Sequence, residues 1–90
     1  MRKTIVVKKH ALLQLQERSI PEDVVKDVVR YPGQILESYK GRKIAQDVIK
    51  YQNEHFLIRV VFEEHKETME VVTVYLTKKI KKYWEGSYAH

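Results

Sequence analysis

The sequence contains no cysteine. Disulfides, thiolate metal sites and cysteine nucleophiles are therefore excluded, and a reducing compartment is compatible with the chain. Glycine occurs three times, too sparsely for the glycine-rich loop that cradles nucleotide phosphates, so a kinase or a nucleotide switch is disfavoured. Long apolar runs are also missing. The opening MRKTIVVKKH holds only three consecutive apolar residues, short of a signal-peptide core, and nothing downstream approaches a membrane span. A cytoplasmic protein without membrane contact is expected. There is no H-E-x-x-H motif and no closely spaced carboxylate triad, so neither a metal site nor a cofactor is expected. His55 and His65 flank one strand and should lie apart, and Asp47 and Glu63 read as surface charges.

What is present is enough for one small core. The 90 residues make a single domain, 1–90, and 43% hydrophobic with 32% charged residues is a composition that folds. Seventeen Lys and Arg against 12 Asp and Glu leave a formal charge of +5. That excess favours encounters with nucleic acid or an acidic protein, and it also suits an ordinary soluble domain.

Thr4 to Lys9 reads as a strand, with Ile5 and Val7 on one side. Residues 10 to 17 contain three leucines and no β-branched residue, the mark of a helix. At about two turns it needs packing to persist. SIPED starts a second helix: Pro21 suits the first turn, and Glu22 and Asp23 sit at the positive dipole end. Val24, Val25, Val28 and Val29 give it an apolar stripe, and YPG ends it. Strands follow at 35–39, 42–51, 55–64 and 68–77, joined by turns at Lys40-Gly41 and Gln52-Asn53 and by the polar EHKET loop. KKIKKYW places Ile80, Tyr83 and Trp84 at helical spacing, suited to one docked turn. The expected class is α+β, ordered β-α-α-β-β-β-β. It is a twisted, mainly antiparallel sheet with two helices on one face and a short C-terminal helix. The N-terminal strand and its helices are expected to cover that face together.

Strand alternation assigns the two faces. Phe56, Ile58, Val60 and Phe62 should look toward the helices, leaving Arg59 on the other side. Val72, Val74 and Leu76 form the matching apolar set of the last strand, leaving Thr73, Tyr75 and Thr77 opposite. Arg59 and Tyr75 can then share a helix-free face able to hold a phosphate and stack a base. Tyrosine and threonine are equally ordinary strand formers. Lys78, Lys79, Lys81 and Lys82 form a basic run suited to phosphate, or a solvated tail.

The stretch HALLQLQERSI, from His10 to Ile20, followed by PEDVV, resembles the opening of a small family of uncharacterised bacterial and archaeal domains, DUF4258. There a histidine-alanine pair starts the first helix, and an arginine, a small residue and an isoleucine precede the second. Met69 to Thr77 resembles that family's final strand, so the likeness covers nearly the whole chain. The family in turn looks like a relative of the RelE/ParE-like toxins, including the BrnT branch. Those are small α+β domains, many of which cleave messenger RNA while others inhibit gyrase. The resemblance implies a toxin-like fold, ribonuclease activity and a cognate antitoxin. His10 and Arg18 match the family's opening, and Arg59 and Tyr75 lie where related toxins place active-site groups. Ser19 departs from the pattern, since glycine is usual there.

Metal-free RNA cleavage needs a base, an acid and cations on the phosphate. His10, held neutral at a helix start, suits the base. Arg59 and Arg18 suit phosphate forks, with Lys78 or Lys79 assisting, and Tyr75 can donate a proton or stack. In one continuous helix His10 and Arg18 stand about 12 Å apart and do not meet at one atom. Each also has a structural use, His10 as a strand-to-helix junction and Arg18 as a dipole partner paired with Glu22. The expected partners are messenger or ribosome-bound RNA, an antitoxin or a second copy. A non-enzymatic protein-interaction module of the same fold is the alternative.

Overall fold

The computed structural model describes residues 2–86. Strand β1 (Thr4–Val7) leads into α1 (Lys9–Arg18) and α2 (Glu22–Arg30). Then come β2 (Gln34–Glu37), a 3-10 turn (Tyr39–Gly41), β3 (Lys43–Tyr51), β4 (Glu54–Glu64), β5 (Thr68–Thr77) and a single turn of helix, α3 (Ile80–Tyr83). The five strands form one sheet in the order β1-β5-β4-β3-β2. The meander β2 to β5 is antiparallel throughout. Among the described residues no helix is long and apolar enough to cross a membrane.

The first strand departs from expectation. Rather than lying with the helices as a cover, β1 joins the sheet and runs parallel to β5, with Thr4 opposite Thr68 and Val7 opposite Val71. Its backbone donors and acceptors need partners, and the two helices provide the crossover that parallel pairing requires. Past the end of β1 the edge of β5 is served by a side chain: the Val74 N–H donates to Gln14 Oε1 of α1 at 2.8 Å.

Both helices pack on one face. Ala11 and Leu15 of α1, Ile20, and Val25, Val28 and Val29 of α2 meet Ala45, Ile58, Val60, Phe62, Val71 and Val74 in one buried cluster. The apolar phase of β5 differs from simple alternation. Thr73 faces Val61 while Val71 faces Phe62, so Val72 is an extra residue in a bulge. The bulge flips the phase, and Val71 enters the core where Val72 was expected. Val72 is half-buried. Phe56 keeps the expected helix-side face but is less buried than its partners in the alternation. It sits half-buried at the rim, its ring edge-on to Tyr51 with centroids 5.4 Å apart.

The turn between the helices explains why glycine suits position 19. Ser19 is left-handed, at φ 54° and ψ 41°. Its N–H donates to Gln16 O at 3.2 Å and that of Ile20 to Leu15 O at 2.9 Å, the paired bonds of a Schellman ending. Leu15 and Ile20 are both buried, which supplies the apolar contact that accompanies this cap. Because a Cβ is disfavoured in that region, Ser19→Gly should stabilise the fold by about 0.5–1 kcal/mol. A urea midpoint that stays put or falls would contradict this account of the turn.

Candidate nucleic-acid interface

With Ile58, Val60 and Phe62 committed to the helix side, Arg59 must point to the other face. Register supplies its neighbours: Gln46 of β3 is directly opposite on one side and Tyr75 of β5 on the other. Arg59 Nε donates to Gln46 Oε1 at 2.8 Å, and Nη1 donates to Tyr75 Oη at 2.5 Å. The sharing of one face by Arg59 and Tyr75, expected from alternation, is thus a direct cross-strand pair.

That face is not free of helix. After β5 the chain turns back across it as α3, and Ile80 is buried there. The Tyr83 ring lies with its centroid 4.5 Å from Arg59 Cζ. Gln46 Nε2 donates both to Tyr83 O at 3.0 Å and to Gln34 Oε1 at 2.8 Å. Gln34 Nε2 donates to Glu85 O at 2.7 Å, and Glu85 N donates back to Gln34 Oε1 at 3.0 Å. Two glutamines therefore clip the segment Ile80–Glu85 to the sheet. Gly33 stands beside them for steric reasons: a Cβ there would lie 2.8 Å from Asp47 Oδ1 and 3.0 Å from Trp84 Cη2.

Arg59 is only 7% exposed and Gln46 is wholly buried. Among the described residues no carboxylate forms an ion pair with Arg59. Its partners are an amide oxygen, a phenol and two aromatic rings. A buried cation is normally paired with an anion, because desolvation otherwise goes uncompensated. This cluster has the chemistry to bind an anion. Gln46 is the partner that sequence reasoning missed. The signal was there, a polar residue on β3 between Ile44 and Val48, in the alternation that also carries Arg59.

Lys81 and Lys82 belong to the clipped segment, and Lys78 and Lys79 precede it. Lys78 Nζ pairs with Glu54 Oε1 at 3.0 Å and lies 5.5 Å from the Phe56 ring centroid. Lys82 Nζ lies 5.3 Å from that of Tyr83, and Lys79 and Lys81 are exposed. His10 and Arg18 are elsewhere. Both are exposed on α1, the helix that buries Ala11 and Leu15 against the opposite face. The sheet stands between His10 and Arg59. The expected Arg18–Glu22 pair does not form; Glu22 faces Lys26 at 4.0 Å. What α1 offers at that end is the Arg18 carbonyl, which accepts from Tyr51 Oη at 2.9 Å.

A second polar cluster lies at the β4–β5 hairpin. Glu63 and Glu70 face each other across the ladder, and His65 Nε2 stands 3.8 Å from Glu63 Oε1 and 3.3 Å from Glu70 Oε1. Their ligand atoms lie within 4.8 Å of one another, close enough to hold a cation. Sequence spacing did not show this grouping, because hairpin register creates it. The groups are partly exposed and already serve one another, and Glu63 Oε2 also accepts from Arg42 Nε at 2.8 Å.

Nearby, Glu64 is bridged by Lys3 at 2.9 Å and Lys43 at 3.0 Å. The hydrogen bond from Arg42 holds the Glu63 carboxyl below its usual range, and those from Lys3 and Lys43 do the same for Glu64. A carboxylate with a lowered folded pKa stabilises the fold above its unfolded pKa, about 4.3. That contribution is lost as pH falls through the lowered folded value. Urea midpoints should therefore drop on acidification below about pH 4, and Glu63→Gln with Glu64→Gln should lower the neutral midpoint and flatten the acid slope. An unchanged acid slope in the double variant would refute the assignment.

No curated protein and no solved structure matches the chain. Residues 7–76 match the family described as Domain of unknown function (DUF4258). The matched span runs from the end of β1 nearly to the end of β5; it includes Gln46, Arg59 and Tyr75 and stops short of α3. The chain belongs to the DUF4258 family.

Proposed function

We propose that this chain is a toxin-like RNA-binding domain, built like the RelE/ParE and BrnT toxins it resembles, in which Arg59 binds a backbone phosphate. The observation that carries this is the buried Arg59 guanidinium with only neutral partners among the described residues. It sits in a chain of net charge +5, with Lys81 and Lys82 exposed on the segment that packs over it and Lys78 and Lys79 just before that segment. Phosphate supplies the missing anion, and the planar fork suits it better than a point charge would. Tyr75 Oη accepts from Arg59 Nη1, and its own O–H can be directed to a phosphate oxygen.

The site so defined takes Arg59 and Tyr75 and leaves His10 and Arg18 outside it. If the domain cleaves RNA without metal, Arg59 offsets charge on the phosphate while the 2′-hydroxyl loses its proton to solvent and attacks phosphorus to form a 2′,3′-cyclic phosphate, and Tyr75 protonates the departing 5′-oxygen. His10 on the far layer is not the base for that step, so His10→Ala should leave RNA binding unchanged. A cognate antitoxin, covering exposed strand edges or the basic surface, completes the toxin-like reading.

A non-enzymatic protein-interaction module of the same fold is favoured by one feature: Tyr31, Ile35 and Tyr39 are 61%, 49% and 78% exposed around edge strand β2. The deciding measurement is binding to naked RNA and to ribosome-bound message at low salt, with chelator present and cleavage followed in the same samples. Binding that weakens steeply as salt rises is the expected result. No binding to either substrate would leave the interaction module as the function.

A further inference from the structure

The Arg59 site is nearly closed, and the Tyr83 ring lies over one side of it. The Tyr83 centroid lies 4.5 Å from Arg59 Cζ, and the guanidinium keeps 7% exposure for the residue as a whole. With the ring in place and the residue this covered, little of the guanidinium is open to a phosphate. The ring also has a recognisable geometry. An aromatic plane stacked on a guanidinium is how proteins hold an unpaired nucleobase. Paired bases are stacked within their own helix and cannot take that seat.

We propose that Tyr83 occupies the seat of an unpaired nucleobase on Arg59, and that single-stranded RNA binds by displacing the strap Ile80–Glu85. This rests on the RNA reading above and adds the substrate class and the way the site is masked. A base replaces the ring like for like, so the stacking term changes little. The adjoining phosphate then provides the anion that Arg59 lacks. Against this stand the bonds that hold the strap. These are the Gln46 amide on Tyr83 O, the paired bonds between Gln34 and Glu85, and the burial of Ile80. None of the strap's bonds to Gln34 and Gln46 involves a charged side chain, and α3 is one turn long. Helices this short have no stability of their own and persist only while docked. Lys81 and Lys82 travel with the released strap and Lys79 stands at its root, so phosphates draw it outward.

The protein carries its own reporter. Trp84 is the sole tryptophan, lies on the strap and is half-buried. The probes are a labelled oligouridylate of about twelve nucleotides and an RNA duplex of similar length, followed by anisotropy at low salt and by Trp84 emission. The single strand should bind and shift Trp84 emission to the red, while the duplex should do neither. Tyr83→Ala should bind the single strand about tenfold tighter, the scale of one desolvated cation–π contact, and Tyr83→Phe should behave as wild type. Single-stranded RNA that binds without moving Trp84, or a folded Tyr83→Ala that binds no tighter, overturns the masking and leaves the RNA reading intact. Failure of both wild type and Tyr83→Ala to bind overturns the RNA reading together with the masking.

Discussion

Phe62→Ala should lower the free energy of unfolding by about 3–5 kcal/mol, the range for emptying a fully buried aromatic site. Phe62 is 2% exposed. It joins Leu15, Val25, Val60 and Val71 in the core beneath the helices. It also sits where β5 bulges, opposite Val71 and with Lys43 on its other side, so little can move in to fill the space. Phe56→Ala, three turns of alternation away on the same side, should cost only about 1–2 kcal/mol. Phe56 is half-buried at the rim and its deletion exposes Tyr51 rather than opening a cavity. Urea unfolding of both variants measures the difference. Equal losses would show that the helix layer does not cover β4 as described.

The largest functional effect is expected at Arg59. Arg59→Ala leaves Gln46 Oε1 and Tyr75 Oη without their donor and the Tyr83 ring without its cation, and it removes the charge proposed to meet phosphate. Charge-assisted contacts of this kind contribute roughly 1.5–3 kcal/mol each, so RNA affinity should fall about ten- to a hundredfold. Arg59→Lys should recover only part of it, because an ammonium cannot serve two in-plane acceptors and a stacked ring together. Lys81→Ala should behave differently, weakening binding modestly and lowering the salt dependence by about one counterion. Fluorescence anisotropy across a salt series separates these outcomes. If Arg59→Lys equals wild type in affinity and salt slope, then Arg59 acts as a generic charge. If Arg59→Ala binds as wild type while its stability falls, the cluster serves only to dock α3.

Much of this molecule was legible one segment at a time. The apolar stripes of α1 and α2 and the SIPED start are local features with local causes, dihedral preference and dipole. The two-residue period of β4 was equally local. Pleat alone separates Arg59 from Ile58 and Val60, and the same rule applied to β5 put Tyr75 beside it. Fold class and the heart of the candidate site thus followed from residue type and period.

The tertiary structure decided whatever depends on which distant segment is adjacent. Parallel pairing of β1 with β5 joins residues some sixty positions apart, Thr4 with Thr68, and no period in TIVV announces it. The bulge at Val72 is invisible in a run reading EVVTV, because either valine satisfies alternation until a partner strand is counted against it. Gln34 meets Glu85 across 51 residues, and Tyr83 reaches Arg59 only because the chain folds back over the sheet. His10 is separated from Arg59 for the same reason. Each residue's face is local, but the layer that face belongs to is set by packing, and the core put α1 on the side that Arg59 turns away from. Period is a property of the backbone and can be read from one stretch of chain, whereas register, closure and company are properties of the contacts made when the whole chain has folded.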